Sequence, residues 1–339
     1  DRQGAVYALW RARVAPHGTT TAEWQLFASD PGFPFVHSPG SATESAGTEP
    51  LDLLVQTARR DLAALRMTHR DAPDHTFYAA GAPWFLTLFG RDSLLSARLS
   101  LSWAPEVALS TLKALASLQG TKVDPAAAEQ PGKIPHEVRG EPLRLYGTAG
   151  HGAGDIVLPP VYYGTIDATC LWISLLGDLV EAGLAEDEFT ALLPNLRAAL
   201  GWLRDHADAD GDGFIEYHDT GDGLSNQGWK DSGDSVRWAD GGLAESPIAL
   251  CEVQGYAHEA ALVGARLLDK VGDTSEAQAW RDWAAALADR FRAAFWVYDE
   301  VGLYPALALD ASKRPVTGVA SNIDRKSTRL NSSHVQPSR

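Results

Sequence analysis

A mainly α-helical chain is what the sequence predicts: part of an α/α toroid, preceded by the end of a β-domain. Three observations carry this. The hydrophobic period changes from about 2 to about 3.6 residues near position 50. The helical stretches come in pairs joined by tight turns, and the pairs are separated by long, polar, Gly-rich loops. In such an arrangement the short turns are structural, while the long loops gather at one mouth and hold the chemistry.

Taken in order, residues 5–28 hold two β-prone runs, AVYALWRARV and TTTAEWQLFA, around the turn-like Pro16-His17-Gly18. They read as the last strands of a β-domain whose beginning is absent. Residues 29–49, rich in Pro, Gly and Ser, read as a linker, so that 1–45 is domain end plus linker and 50–323 the helical domain. The first helix is expected over 50–68, with Leu51, Leu54, Leu62 and Leu65 among its apolar positions and Met67 inside it. Helices follow at 91–103 and 105–119, with Pro105 at the boundary and Gly120 as the stop. After a long loop, 120–165, comes a second pair at 166–183 and 186–207, with Pro194 kinking or restarting the latter. Residues 208–243 are again loop. In the third pair Ser246 caps and Pro247 opens a helix running to Gly272, and Asp273 with Glu276 makes a capping-box pattern for the next. Trp280, Trp283, Leu287, Phe291 and Phe295 then recur at helical spacing and read as core. Three hairpins are counted, and a closed ring of six needs about as much chain again.

Composition narrows the function. The 339 residues are 45% hydrophobic, enough for a sizeable core. Lys and Arg number 29 against 44 Asp and Glu, a net charge of -15, which leaves no basic footprint for nucleic acid. No apolar run reaches membrane-spanning length. Cys170 and Cys251 stand apart, outside any CxxC pattern, so neither a disulfide framework nor a thiolate zinc site is indicated. The 11 Trp are an excess that suits helix packing and ligand clefts alike. The ends are unusual. The chain begins at Asp1, its one methionine is Met67, and residues 324–339, DRKSTRLNSSHVQPSR, are polar and aperiodic. The tail has the composition of a disordered segment and is similar to a translated sequencing-adapter read-through, which makes it an expected artefact.

Four loop motifs could carry chemistry. PWFLTLFGRDS (83–93) ends in Arg91–Asp92 at a helix start. Asp accepts from sugar hydroxyls, Arg donates, and Trp84 or Phe85 offers a ring face; the plain alternative is an N-cap with a local ion pair. GKIPHEVRGE (132–141) contains Glu137, and by itself reads as a solvated charged loop. YYGTIDAT (162–169) sets Tyr162 and Tyr163 before Asp167, for which capping and aromatic packing are the plain alternative. In NQGWKDSGDS (226–235), Asp231 follows Trp229. An acid against an indole is partly desolvated, stays protonated near neutrality, and suits a general acid for a glycosidic oxygen. An Asx-turn is the alternative, and Asp234 a local competitor.

Read together, FYAAGAPWFLTLFGRDS, GKIPHEVR, YYGTIDAT, DGDGFIEY, GWKDS and EVQGY, in that order, resemble the bacterial amylo-α-1,6-glucosidase (glycogen debranching enzyme-like) family. That family is related to the mannosylglycerate hydrolase-like six-hairpin glycosidases. The resemblance spans nearly the whole chain to Asn322. It implies an N-terminal β-sandwich, a six-hairpin (α/α) toroid, and hydrolysis of α-glycosidic bonds with inversion. It further implies Asp231 as general acid, Arg91 and Asp92 as a sugar-binding pair, and Asp167 as a polar contact. Trp84, Glu137, Tyr163, Trp229, Glu252 and Gln254 are implied subsite residues. The family's general base has no counterpart here, as the chain ends first.

The expected protein is therefore a cytoplasmic glycosidase fragment, itself inactive, acting on an α-glucan or a glucosyl conjugate, with no cofactor, nucleic-acid or membrane partner. A non-catalytic carbohydrate-binding or interaction module is the alternative from another class. A third is a calcium-binding helical protein. Asp208, Asp210 and Asp212 match alternate positions of an EF-hand loop, with Asp219 at position 12, but no exiting helix follows. No HExxH, Walker or GxGxxG pattern is present.

Overall fold

The computed structural model describes residues 11–21, 32–39, 49–145, 156–221, 223–300 and 302–318. The chain divides into two compact units, Asp1–Phe33 and Pro34–Arg339. In the first, the Gly18 N–H donates to the Ala15 carbonyl at 2.8 Å and His17 takes a φ of 63°, making the expected turn. Residues 5–10 and 22–28 of the expected strands, and the tail 324–339, lie outside the described residues.

The second unit opens on an antiparallel sheet of β1 (Phe35–His37), β2 (Arg66–His69) and β3 (Ala72–Tyr78), with α1 (Pro50–Ala64) between β1 and β2. Two sequence expectations change here. The linker contains a strand, because Phe35 is buried edge-on against Phe77, ring centroids 5.4 Å apart. The first helix stops at Ala64, and Met67 sits in β2 opposite His37 and Phe77. Strand pairing and burial of Met67 outweigh the helical spacing, while Leu51 and Leu54 of α1 stay exposed.

Next, β4 (Leu88–Phe89) runs straight into α2 (Gly90–Leu99), which pairs with α3 (Pro105–Ala116). The expected loop 120–165 carries four short strands: β5 (Glu137–Val138), β6 (Leu143–Leu145), β7 (Ile156–Leu158) and β8 (Val161–Tyr162). Strands β4, β5 and β8 form one sheet in that order. The second hairpin is α4 (Ala168–Glu181) and α5 (Glu186–Asp205), which continues through Pro194. Residues 208–221 and 223–243 form no helix or named strand, as expected. The third hairpin is α6 (Cys251–Lys270) and α7 (Thr274–Ala294). It is entered by β9 (Ala249–Leu250) and left through the hairpin β10 (Trp296–Asp299) and β11 (Gly302–Pro305), followed by β12 (Ala308–Leu309) and β13 (Pro315–Val316).

Ser246 and Pro247 do not start α6. Ala249 and Leu250 are drawn into a strand between them and the helix by pairing with β12. Asp273 and Glu276 form no capping box either, since Arg197 of α5 takes both carboxylates, Glu276 at 2.6 Å. The Trp280 stripe is core as expected, with Trp280, Leu287, Phe291 and Phe295 buried.

The helices pack around α4, which touches α2, α3, α5 and α6. Its residues from Ala168 to Gly177 are all buried, and a Cβ on Gly177 would run into Val263 of α6, so the small residue sets the helix separation. The three hairpins do not close a ring. Among the described residues no helix is long and apolar enough to cross a membrane.

One polar cluster ties α2, α4 and α6 together. Arg98 donates to Asp178 of α4 (Nη2 to Oδ1, 3.2 Å) and to Glu259 of α6 (2.8 Å), with all three side chains largely shielded. Arg98→Met is expected to leave two carboxylates facing each other without their cation and to cost about 2–4 kcal/mol in denaturant unfolding. An unchanged midpoint would show the helices to be held by apolar packing alone.

Candidate active site

Four chain segments meet where β4, β5 and β8 pair. The Gly90 N–H donates to the His136 carbonyl at 2.8 Å, and the His136 N–H to the Tyr162 carbonyl at 2.7 Å. A Cβ on Gly90 would collide with the Pro135 carbonyl oxygen, so this crossing needs glycine. The Ile166 N–H binds the Gln227 carbonyl at 2.9 Å, bringing in the fourth segment.

At the junction lies the Arg91 guanidinium, 7% exposed. Its Nη1 donates to both oxygens of the fully buried Asp167, at 2.9 and 3.3 Å. Its Nη2 lies 3.7 Å from Asp231 and its Nε 4.0 Å from Asp92. Asp167 stands at the start of α4 but caps nothing there. Its carboxylate instead takes Arg91 and the Thr165 hydroxyl, the latter at 2.7 Å. Asp92 likewise makes no cap.

Burial raises the carboxyl pKa of Asp231, against the lowering pull of Arg91. The same balance, burial first and Arg91 against it, raises Asp92. For Arg91, burial works to deprotonate the group, but Asp167, Asp92 and Asp231 more than reverse this and hold it charged. The arrangement thus keeps one cation fixed and leaves two partly shielded acids with a raised affinity for protons.

Arg91, Asp92 and Asp231 line a cleft of about 310 Å³, walled by Phe85, Phe89 and Trp229. Sequence-expected residues divide around it. Arg91, Asp92, Trp229 and Asp231 line it, and Asp167 holds Arg91 from behind. Trp84 is 79% exposed and outside the lining, and Phe85 supplies the ring face instead. Tyr163 turns away, its hydroxyl donating to the Leu118 carbonyl at 2.6 Å. Gln254 is fully engaged by backbone, accepting from the Ile215 N–H and donating to the Ile215 and Leu250 carbonyls. It pins the 208–217 loop rather than meeting a ligand. Glu252 is buried at the start of α6, off the lining. Glu137 is buried beside Arg139, its carboxyl raised to about 7 chiefly by burial. Asp234 is exposed and paired with Arg237 at 3.0 Å.

Sequence reading missed His136. Its ring is buried edge-on between Phe89 (5.4 Å) and Tyr162 (6.1 Å), and its Nε2 lies 3.9 Å from Asp231 while Nδ1 has no partner. A histidine directly before Glu137 in a stretch read as solvated loop carried no signal of burial.

The acidic loop also differs from expectation. Asp208, Asp210, Asp212 and Glu216 place oxygens within 4.8 Å of one another, whereas Asp219 lies outside this group and accepts the Gly221 N–H. The ammonium of Lys313 sits among them, 2.9 Å from Asp210, 2.8 Å from Asp212 and 2.5 Å from Glu216. Burial lowers the Lys313 pKa, but bonds to Asp212, Glu216 and Asp210 raise it overall. The loop is organised around this internal cation.

No family model matches the chain, and no curated protein matches it. Solved structures that align with part of this chain include a bacterial glucoamylase complexed with acarbose (TM-score 0.49, 12% identity), over 78% of this chain and 32% of that one. Another is a metal-independent α-mannosidase of Streptococcus pneumoniae with α-1,6-mannobiose (TM-score 0.46, 14% identity), over 78% of this chain and 63% of that one. The chain therefore spans less than two thirds of the length of either.

Burial depresses the His136 pKa from its ordinary 6.5 to about 3, with Arg91, Lys133 and Arg139 adding to the effect. The unfolded chain binds the proton first as pH falls, so the stability of the neutral ring is present above pH 6.5 and lost on acidification towards about 3. Relative to the native chain, His136→Gln is expected to lose roughly 2–3 kcal/mol less stability between about pH 6.5 and 4. Parallel pH curves for the two would place the ring in solvent.

Proposed function

We propose that the chain carries the acid side of a glycoside-hydrolase site acting on α-glucosidic bonds, of the amylo-α-1,6-glucosidase (debranching) kind. The supporting observation is Asp231: a carboxyl raised by partial burial, 3.7 Å from a fixed guanidinium, in a cleft with aromatic walls. Burial of this kind disfavours the charged form, which suits a group that gives its proton to a breaking bond.

In this reading a glucosyl ring lies against Phe85, Phe89 or Trp229, with its hydroxyls shared between Arg91 and Asp92. Asp231 protonates the leaving glycosidic oxygen as the C–O bond breaks and positive charge grows at the anomeric carbon. Asp92, which lines the same cleft, favours that charge electrostatically when ionised. Water then adds from the opposite face under inversion, activated by a second carboxylate roughly 6.5–9.5 Å from the first. His136, with Nε2 towards Asp231, limits the directions the acid can take.

Binding and turnover test separate parts of this. Asp92→Asn removes a strained charge but keeps the shape. Maltotriose affinity by calorimetry is expected to fall about tenfold or more, with Tm unchanged or slightly raised. A large loss of Tm with normal affinity would assign Asp92 to structure. Turnover is to be followed as glucose released from α-1,6-branched and α-1,4-linked oligosaccharides by a longer polypeptide that contains this chain. There Asp231→Asn is expected to reduce kcat by about 10²–10⁴. Full activity in that variant would move the acid elsewhere, and preference for the α-1,4 substrate would reject the debranching assignment.

A further inference from the structure

A second cavity of about 330 Å³ shares no lining residue with the cleft. The two are separated by an aromatic partition: Phe89 on the cleft side, His136 in the middle, and Tyr162 on the far side. Residues from the loop after α3, the end of α5 and the 216–227 loop build its walls.

The cavity has a built polar floor. Lys133 is only 5% exposed, and among the described residues its ammonium donates only to the Ala128 carbonyl, at 3.2 Å. Beyond that it has the face of Trp202, 5.7 Å away, and no ion pair among the described residues. An ammonium carries three donors, so the remaining ones have the cavity as their outlet. Buried Gln227 also lines the space, and its side-chain amide makes no described hydrogen bond. Glu129, which also lines the cavity, holds the loop in place by accepting the Thr121 and Lys122 N–H groups on one oxygen. Trp202 is locked by its own N–H to Gln130 at 2.8 Å, and Tyr162 and Tyr217 close the sides.

This chemistry selects among ligands. A phosphate or carboxylate would meet Lys133 but also the carboxylate of Glu129 in the same lining, in a protein of net charge -15. A sugar hydroxyl both donates and accepts, so it fits a surface where an ammonium, an amide and a carboxylate oxygen stand side by side. Apolar ring faces then cover the C–H side. The volume is at the small end for ligand cavities, about 300–1,000 Å³. We propose that this cavity is a second saccharide site, separate from the cleft, that takes one neutral hexose unit with Lys133 and Gln227 as its principal polar contacts. The proposal stands whether or not the cleft hydrolyses anything.

Burial also pulls the Lys133 pKa down to about 7, which makes its amine reactive near neutrality and provides a label. In the 339-residue chain, reductive methylation with formaldehyde and a borane, mapped by peptide mass spectrometry, is to be run with glucose, with maltose, and with inorganic phosphate. Glucose is expected to protect Lys133, and to do so equally in Asp92→Asn, which weakens only the cleft. Calorimetry on Lys133→Met and, independently, on Gln227→Ala is expected to show glucose affinity at this site reduced about tenfold or more, with both variants folded by circular dichroism. Should one variant misfold, the other and the labelling decide. The proposal is overturned if saturating glucose leaves the labelling rate unchanged, or if phosphate protects and glucose does not. Loss of protection in Asp92→Asn would also overturn it, by making the two cavities one site.

Discussion

The Arg91 guanidinium is the group on which the site depends. A cation this deeply buried is stable only with carboxylates in contact, and it recruits them from three segments: Asp92 beside it, Asp167 at the start of α4, and Asp231 in the loop before α6. The pairing with Asp167 is the tightest and uses both carboxylate oxygens. Asp167 has the cation at hydrogen-bond distance, while burial raises the proton affinity of Asp92 and Asp231 against the lowering pull of Arg91. The raised proton affinity of Asp231 thus comes from its own partial burial, which outweighs the pull of the cation beside it.

The fold delivers these groups by placing helix starts together. Arg91 and Asp92 belong to the first turn of α2, Asp167 precedes α4, and Glu252 opens α6. The positive end of each helix dipole favours acids at such positions, so they need not be caps to be well placed. What fixes the registration is backbone: the short β4-β5-β8 sheet at one side, and Gln254 clamping Ile215 and Leu250 at the other. Farther along α2, Arg98 repeats the same device, one arginine bridging acids of two other helices.

Two lysines show how differently a buried cation can be used. Lys313 is surrounded by Asp210, Asp212 and Glu216, and its charge is consumed in holding the 208–216 loop. Lys133 meets only a backbone carbonyl and a tryptophan face, with a cavity in front of it. Saturation by carboxylates makes the first a structural cation. The unspent donors of the second make it a ligand contact.

Local pattern determined much of this protein. Helical periodicity places the three hairpins, because one apolar face per helix must be buried whatever it packs against. Gly-rich polarity marks the loops, and the Arg-Asp, Ile-Asp and Trp-Lys-Asp motifs mark where charge collects. Other features depend on partners far away in sequence, and there the pattern misleads. Met67 has helical spacing but pairs as strand with Phe77, and Asp273 with Glu276 spells a cap but answers Arg197. Gln254 and Tyr163 have the polarity of ligand contacts yet satisfy buried backbone. His136 and Lys133 lie in a stretch that reads as solvated, yet both are buried. Desolvation and hydrogen-bond satisfaction depend on every neighbour in three dimensions, so only the tertiary structure decided which polar residues are spent on the fold and which are left for a ligand.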